Sequence, residues 1–397
     1  MSAPAFPVSK LHASGLESSL DPEWQFLRIA VSEPSDQTLD QLRSLCPRVR
    51  WRVLFDLAER HGVLPLLYQM LSHSERLISG KEMRLLAQLY QTNLHKTMLV
   101  ARELIHVTGH LQDEGIDVLP YKGLALAEAV YKDIALRQSG DIDLLIHARD
   151  LPRIRQALRE LGYVPHSSLS PAQEKASLRV GYECGFDGPA GRNLLEVQWA
   201  IQPRFYAVDF DQDELFDRAV PVKLAGHEIR TPSPEDLFLI LSVHAAKHVW
   251  GRLIWLCDLA RIMQLPKLNW DAIAARAQNS GIVRILRVTL LLVSRVLNTD
   301  IPKGAENSLP PDPEGGSLAA EIETHIASAT EYDVESVDYF HLMLRLRENW
   351  RDRMRFIGRL ILTPGPGEWA AVHLPESLFP LYRVVRFWRL AGKLASR

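Results

Sequence analysis

Cysteine is scarce in this sequence of 397 residues, and the three that occur, Cys46, Cys184 and Cys257, stand far apart with no Cys-x-x-Cys pair. An odd, scattered set argues against a disulfide framework and against a zinc site, and it suits a reducing compartment. Long apolar runs are missing too. The best candidate, residues 285 to 297, is interrupted by Arg287 and Arg295, so no membrane span is expected. The segment Met1 to Lys10 has no charged stretch leading into an apolar one, which speaks against a secretory signal and for a cytoplasmic location. Neither sign of charge dominates. The net charge of -2 supplies no bulk basic field, which leaves a local groove as the only route to nucleic acid. What is present is ordinary for a globular protein, 47% hydrophobic and 24% charged, with enough length for two or three domains.

The texture of the chain changes twice. Residues 22 to 112 read as helical. Apolar residues recur at helical spacing from Trp51 to Ala58, His61-Gly62 is a stop, Leu64-Pro65 is a new start, and a further amphipathic helix runs from about Leu86 to Leu111. After Gly115 the pattern shortens. Ile116 to Tyr121 reads as a strand, Lys122-Gly123 as a turn, Leu124 to Tyr131 as a helix, and Asp141 to Ile146 as a second strand. Asp150 is placed to cap a helix carrying Leu151, Ile154, Leu158 and Leu161, closed by Gly162. Strands near Arg179 to Phe186 and Leu194 to Trp199 are expected, with Pro189 to Asn193 turning between them. From 231 helix returns, opened by Ser233-Pro234-Glu235-Asp236, a capping serine with proline at the first helical position. Ile301 to Ser317 is rich in proline and glycine and reads as a loop or linker. The expected class is α+β: a small mixed-sheet core over 113–230, flanked by helical regions over 1–112 and 231–397.

The most informative stretch is Gly140-Asp141-Ile142-Asp143-Leu144-Leu145-Ile146. Side chains alternate faces along a strand, so Asp141 and Asp143 point the same way. Two acids on one face at the mouth of a strand make a poor core and a good clamp for a divalent metal. Mg²⁺ takes hard oxygen ligands, usually one or two carboxylates together with substrate phosphates.

These residues, with Lys122-Gly123 at the preceding strand-to-helix turn and Glu196 within Leu194-Leu195-Glu196-Val197-Gln198, resemble the polymerase-beta-like nucleotidyltransferase superfamily. The resemblance is closer to a bacterial branch described as uncharacterised nucleotidyltransferases. It runs through Tyr121-Lys122-Gly123, Arg137, Gly140 to Leu145, Leu161-Gly162-Tyr163 and Leu195 to Trp199, and ends on a helix bearing His244 and His248, followed by Trp255 and Asp258. It departs from the broader superfamily where Lys-Gly replaces the usual Gly-Ser turn, in the longer gap from Gly123 to Asp141, and in Glu as the third acid.

The resemblance implies a nucleotidyltransferase fold and a Mg²⁺-dependent transfer of a nucleoside monophosphate from an NTP, such as ATP, to an acceptor, with pyrophosphate released. Mn²⁺ is an alternative metal. Asp141, Asp143 and Glu196 are then the catalytic and metal-binding acids, with Glu196 or Asp143 as general base. Gly123 and Gly140 let backbone approach the nucleotide, and Lys122 or Arg137 neutralises its phosphates. The acceptor is unspecified; a small molecule, peptide or protein fits the near-neutral charge better than long nucleic acid.

Blander readings stand beside each of these. An Asp-x-Asp pair also occurs in sugar-nucleotide enzymes and in simple turns, so metal-dependent glycosyl or phosphoryl transfer, or a non-catalytic nucleotide-binding scaffold, are the competing functions. Lys122 could merely cap a strand end in solvent, and Arg137 could pair with Asp141 or Asp143, the phosphate role being favoured for Lys122. His244 and His248 have i, i+4 spacing but no accompanying acid, so they read first as packed histidines bordering the cleft. Asp258 reads as an anchor for helix packing, and the basic, aromatic stretch after Arg345 as a solvated helix face over a core stripe.

Overall fold

Alternation of apolar and acidic side chains, as in Asp141-Ile142-Asp143-Leu144, lets one sheet serve two environments. The computed structural model, which describes residues 21–74, 77–167, 170–189, 194–327 and 336–395, builds such a sheet from five strands. They are β1 (Val118–Pro120), β2 (Asp141–Ile146), β3 (Val164–Pro165), β4 (Glu183–Asp187) and β5 (Leu194–Gln198), in the order β1-β2-β5-β4-β3. β2 and β5 are parallel, and the other pairs are antiparallel. A hairpin of β6 (Val220–Leu224) and β7 (His227–Thr231) follows, turned by Ala225 and Gly226, both at positive φ as a tight two-residue turn requires. The fold is α+β with helical flanks, as expected from the sequence.

The even positions of β2 and the odd positions of β5, Ile142, Leu144, Ile146, Leu195 and Val197, are all buried. They join one core with Leu104, Val107 and Leu111 from the long helix Gly80–Asp113 and with Ile154 and Leu158 from the helix Leu151–Glu160. The opposite face presents Asp141, Asp143, Glu196 and Gln198. Leu119, Tyr121 and Leu145, around the acids, join the second and larger core, which also holds the N-terminal helices and the helices after residue 233. The two helical regions thus share one interior. His61 stitches them: its Nδ1 accepts from the backbone N–H of Leu253 at 3.2 Å, and its carbonyl from that of Ile254 at 3.1 Å.

Several local expectations hold closely. The helices Trp51–Arg60 and Leu64–His73 are separated by Gly62 at φ 72°, and β2 has the expected bounds. Ser233 caps Pro234–Lys247 by accepting from the Asp236 N–H. Others need correction. Asp150 makes no side-chain cap and faces Arg149 and Arg153 instead. Arg179 and Val180 close a helix, Pro171–Val180, rather than open a strand. Leu124 to Tyr131 is a short α-helix, Gly123–Leu126, that widens into a π turn over Ala127–Tyr131. The turn expected from Pro189 to Asn193 lies largely outside the described residues. The 301–317 segment is packed, with helices Lys303–Ser308 and Pro313–Ile326 and fully buried Ala305 and Leu309. Pro302 and Pro313 sit at the two helix starts, where the missing N–H costs nothing, and Pro310 and Pro311 lie between the helices.

No described helix is long and apolar enough to cross a membrane.

Candidate active site

Sheet pairing assembles the acids. The β2–β5 register sets Asp143 beside Glu196, and the β4–β5 register sets Glu183 opposite Gln198. Residues directly paired across strands share a face, so Asp141, Asp143, Glu196 and Glu183 converge. The centre of the cluster is the buried Gln198 amide. Its Nε2 donates toward Asp143 Oδ1 at 3.0 Å, Glu183 Oε2 at 3.2 Å and Glu196 Oε2 at 3.2 Å. Its Oε1 accepts from the buried Tyr121 hydroxyl, which fixes the amide's orientation. Lys122 lies two residues past β1 and reaches Asp143 Oδ1 at 2.9 Å. Burial works against its ammonium, but Asp143 and Tyr121 outweigh that penalty and hold its pKa well above the usual lysine value.

Four carboxylates around one ammonium leave negative charge uncompensated. Burial, then Asp143 and Glu183, push the Glu196 carboxyl from 4.5 up to about 7. Burial and Asp143 also raise Asp141. A carboxyl titrating near neutrality beside other acids is the environment of a general base. The donor set is all oxygen and electron-rich, which suits a hard divalent cation, with Asp141, Asp143 and Glu196 as the residues that would hold it. Among the described residues, no three or more His, Cys, Asp or Glu side chains are already grouped to hold a metal. Lys122 and the Gln198 amide take up the acids' bonding instead.

The turn after β1 is sterically determined. Gly123 has φ 52°, and a Cβ there would stand 2.6 Å from Ser139 Oγ, so only glycine fits. Ser139 is held in place by donating to the Asp141 carbonyl at 3.2 Å. Gly140 is exposed and a Cβ would meet nothing within 4 Å, so packing does not demand glycine there. Arg137 is buried, and its partner is neither Asp141 nor Asp143. Its Nε lies 3.1 Å from both Asp258 oxygens, and Nη2 lies 3.1 Å from Oδ2. The fully buried Asp258 also accepts from the Tyr131 hydroxyl at 2.9 Å, so it anchors the π turn and the approach to β2 together.

His244 and His248 lie 4.9 Å apart, ring centre to ring centre, and both pack on Trp255. Burial, then neighbouring Lys122, His248 and Lys247, hold His244 well below the usual histidine value; burial and Lys247 bring His248 down to about 3. Both rings are therefore neutral at physiological pH. The chain turns sharply just beyond them through Val249 and Trp250, both at positive φ, a conformation that side-chain-bearing residues rarely adopt.

Three contributors escaped the sequence reading. Glu183 carried no local motif. Gln198 was visible only as part of a run. Lys247 reaches the site from the helix Pro234–Lys247, with Nζ 3.3 Å from the Tyr182 hydroxyl; burial and Lys122 lower its pKa to about 8.

An acid cluster on a mixed sheet thus stands beside a turn made by glycine. The family described as uncharacterised nucleotidyltransferase has a model that matches residues 47–298, more than half of the chain, and the chain belongs to that family. It is by name a family of transferases, and that name implies a nucleotide substrate. No curated protein and no solved structure is matched by the chain.

Proposed function

We propose that this protein transfers a nucleoside monophosphate from an NTP to an acceptor, with Mg²⁺ and with release of pyrophosphate. The observation that carries the reading is the convergence of Asp141, Asp143 and Glu196 on one sheet face beside the glycine-only turn at Gly123. Bound there, a divalent cation would supply charge neutralisation for the triphosphate and for the leaving pyrophosphate. Asp141, Asp143 and Glu196 would hold it.

The chain's own groups account for the remaining demands. Glu196 takes the proton of the attacking hydroxyl. Lys122, kept cationic by Asp143 and next to Gly123 in the chain, would neutralise phosphate charge at the turn. Gln198, locked by Tyr121, positions Asp143 and Glu196 relative to each other. Arg137 contributes long-range positive charge to the cleft, while its short contacts go to Asp258.

The test is product identity. The protein is incubated with each NTP and each UDP- or GDP-sugar, Mg²⁺ and a pooled acceptor set. Pyrophosphate release that is lost in Asp141→Asn supports the proposal. Nucleoside diphosphate release from a sugar nucleotide moves the reaction to glycosyl transfer on the same acids.

A further inference from the structure

The acid face continues into a cavity of about 490 Å³, a size that suits a small molecule. Tyr182, Glu183, Lys247 and His248 form the end nearest the acids. Glu183 belongs to both places. It lines the cavity, and it shares the Gln198 amide with Asp143 and Glu196. Glu183 therefore links the cavity to the acid cluster.

Sheet order gives the arrangement a direction. The Lys122–Gly123 turn follows β1, and the cavity lies by β4, with β2 and β5 between them. Three strand spacings, on the order of 14 Å, separate the backbones of β1 and β4. A triphosphate at the turn and a second ligand in the cavity would meet the acids from opposite sides, as displacement at phosphorus requires.

The outer walls are aromatic and come from beyond the family match, which stops at residue 298. Tyr339, Phe340, Trp369 and Leu390 all lie later in the chain and all line the cavity. This segment is firmly docked. Arg359 makes a fork to Asp209, both bonds 2.7 Å, Arg347 Nη2 donates to the Tyr206 carbonyl at 2.7 Å, and Tyr339 donates to the Lys247 carbonyl at 2.9 Å. Arg386 and Arg389, which also line the cavity, share the buried Glu368.

We infer that this cavity receives the acceptor, a small ring-bearing molecule whose hydroxyl meets Glu183 and Glu196, and that the segment 337–395 selects it. The inference rests on the nucleotidyl-transfer reading above. In the step it serves, the acceptor oxygen bonds to the α-phosphorus, the bond from that phosphorus to the bridging oxygen breaks, pyrophosphate leaves, and the hydroxyl proton passes to Glu196. Aromatic walls bind flat rings through stacking and apolar burial, which gives affinity with little demand on hydrogen bonding.

The experiment uses 4-fluorobenzyl alcohol as a probe, read by ¹⁹F line broadening on the full chain. It compares wild type with Ser177→Trp and Leu390→Trp, which fill the cavity from two separate helices, each checked for folding by circular dichroism. Broadening in wild type, lost in the folded filled variants and retained when Mg²⁺ and a bound NTP are added, supports the inference. Persistence of broadening in both filled variants, or its absence in wild type, overturns it. Displacement of the probe by NTP and Mg²⁺ also overturns it, because the cavity then holds the nucleobase of the donor. A wild type that binds the probe but no NTP removes the donor chemistry, and the acceptor role falls with it, while the cavity stands as a ring-binding site.

Discussion

Replacing Glu196 with glutamine tests the electrostatics on which the site depends. The folded protein holds this carboxyl at about 7 against an ordinary 4.5. At 1.36 kcal/mol per unit, that difference has a ceiling of about 3.4 kcal/mol. Glu196 is only half-buried, so solvent screening brings the expected effect down to about 1–2 kcal/mol. A raised carboxyl pKa means that the folded state binds the proton more tightly than the unfolded chain. The stability from this group is present in acid and is lost as pH rises through 7. The buried histidines act in the opposite sense. His61 and His248 are both lowered to about 3, so their protonation in acid favours unfolding, and the wild-type profile mixes both trends. Glutamine resembles the protonated acid in shape and cannot ionise, so subtracting the Glu196→Gln profile isolates the one group. Urea unfolding from about pH 5 to about pH 8 should show wild type losing about 1–2 kcal/mol relative to the variant. Added Mg²⁺ should flatten that difference, because a cation among the acids favours the ionised form. A wild-type-to-variant difference that is constant across this range would refute the account of a repelled, partly protonated Glu196.

Two further outcomes follow from the geometry. Gly123→Ala should cost about 1–2 kcal/mol for its left-handed backbone and about 1–3 kcal/mol for overpacking. The crowding term arises because the new methyl meets Ser139 Oγ at 2.6 Å, so adding Ser139→Ala should recover that term alone in a double-mutant denaturation series. Asp258→Ala should destabilise by about 3–5 kcal/mol, since it leaves the Arg137 guanidinium buried without its partner. Chemical denaturation of that variant at neutral pH is the measurement.

The acids of the site were legible because strand alternation is a local rule. Asp141 and Asp143 are two apart on a run whose strand bounds are correct, and Glu196 lies on a run of the same texture. Gly123 was legible in kind, though its reason, the approach of Ser139, is a contact across the turn. Glu183 was not legible. Its place depends on the β4–β5 register, and a shift of one residue would turn it to the other face. Arg137 was expected to contact phosphate, with pairing to Asp141 or Asp143 as the alternative; Asp258, a distant residue on a later helix, offers it a buried bidentate seat. The 301–317 stretch misled through composition, because proline at a helix start reads locally like proline in a loop. The cavity was illegible for a different reason. Its walls unite Tyr182, Lys247 and Trp369, whose meeting depends on how the last helices dock on the sheet domain. The stretch after Arg345 is partly as expected, with Trp350 and Trp388 exposed, yet Trp369 is buried at the cavity wall.

The central claim is that the acid face holds an NTP through a divalent cation. Calorimetric titration of each NTP in the presence of Mg²⁺, on wild type and on the Asp141→Ala/Asp143→Ala double variant, tests it most directly. The account predicts metal-dependent binding of at least one NTP by wild type and its loss in the folded double variant. Binding that is indifferent to Mg²⁺ or to the loss of both acids would contradict it, as would a folded wild type that binds no NTP.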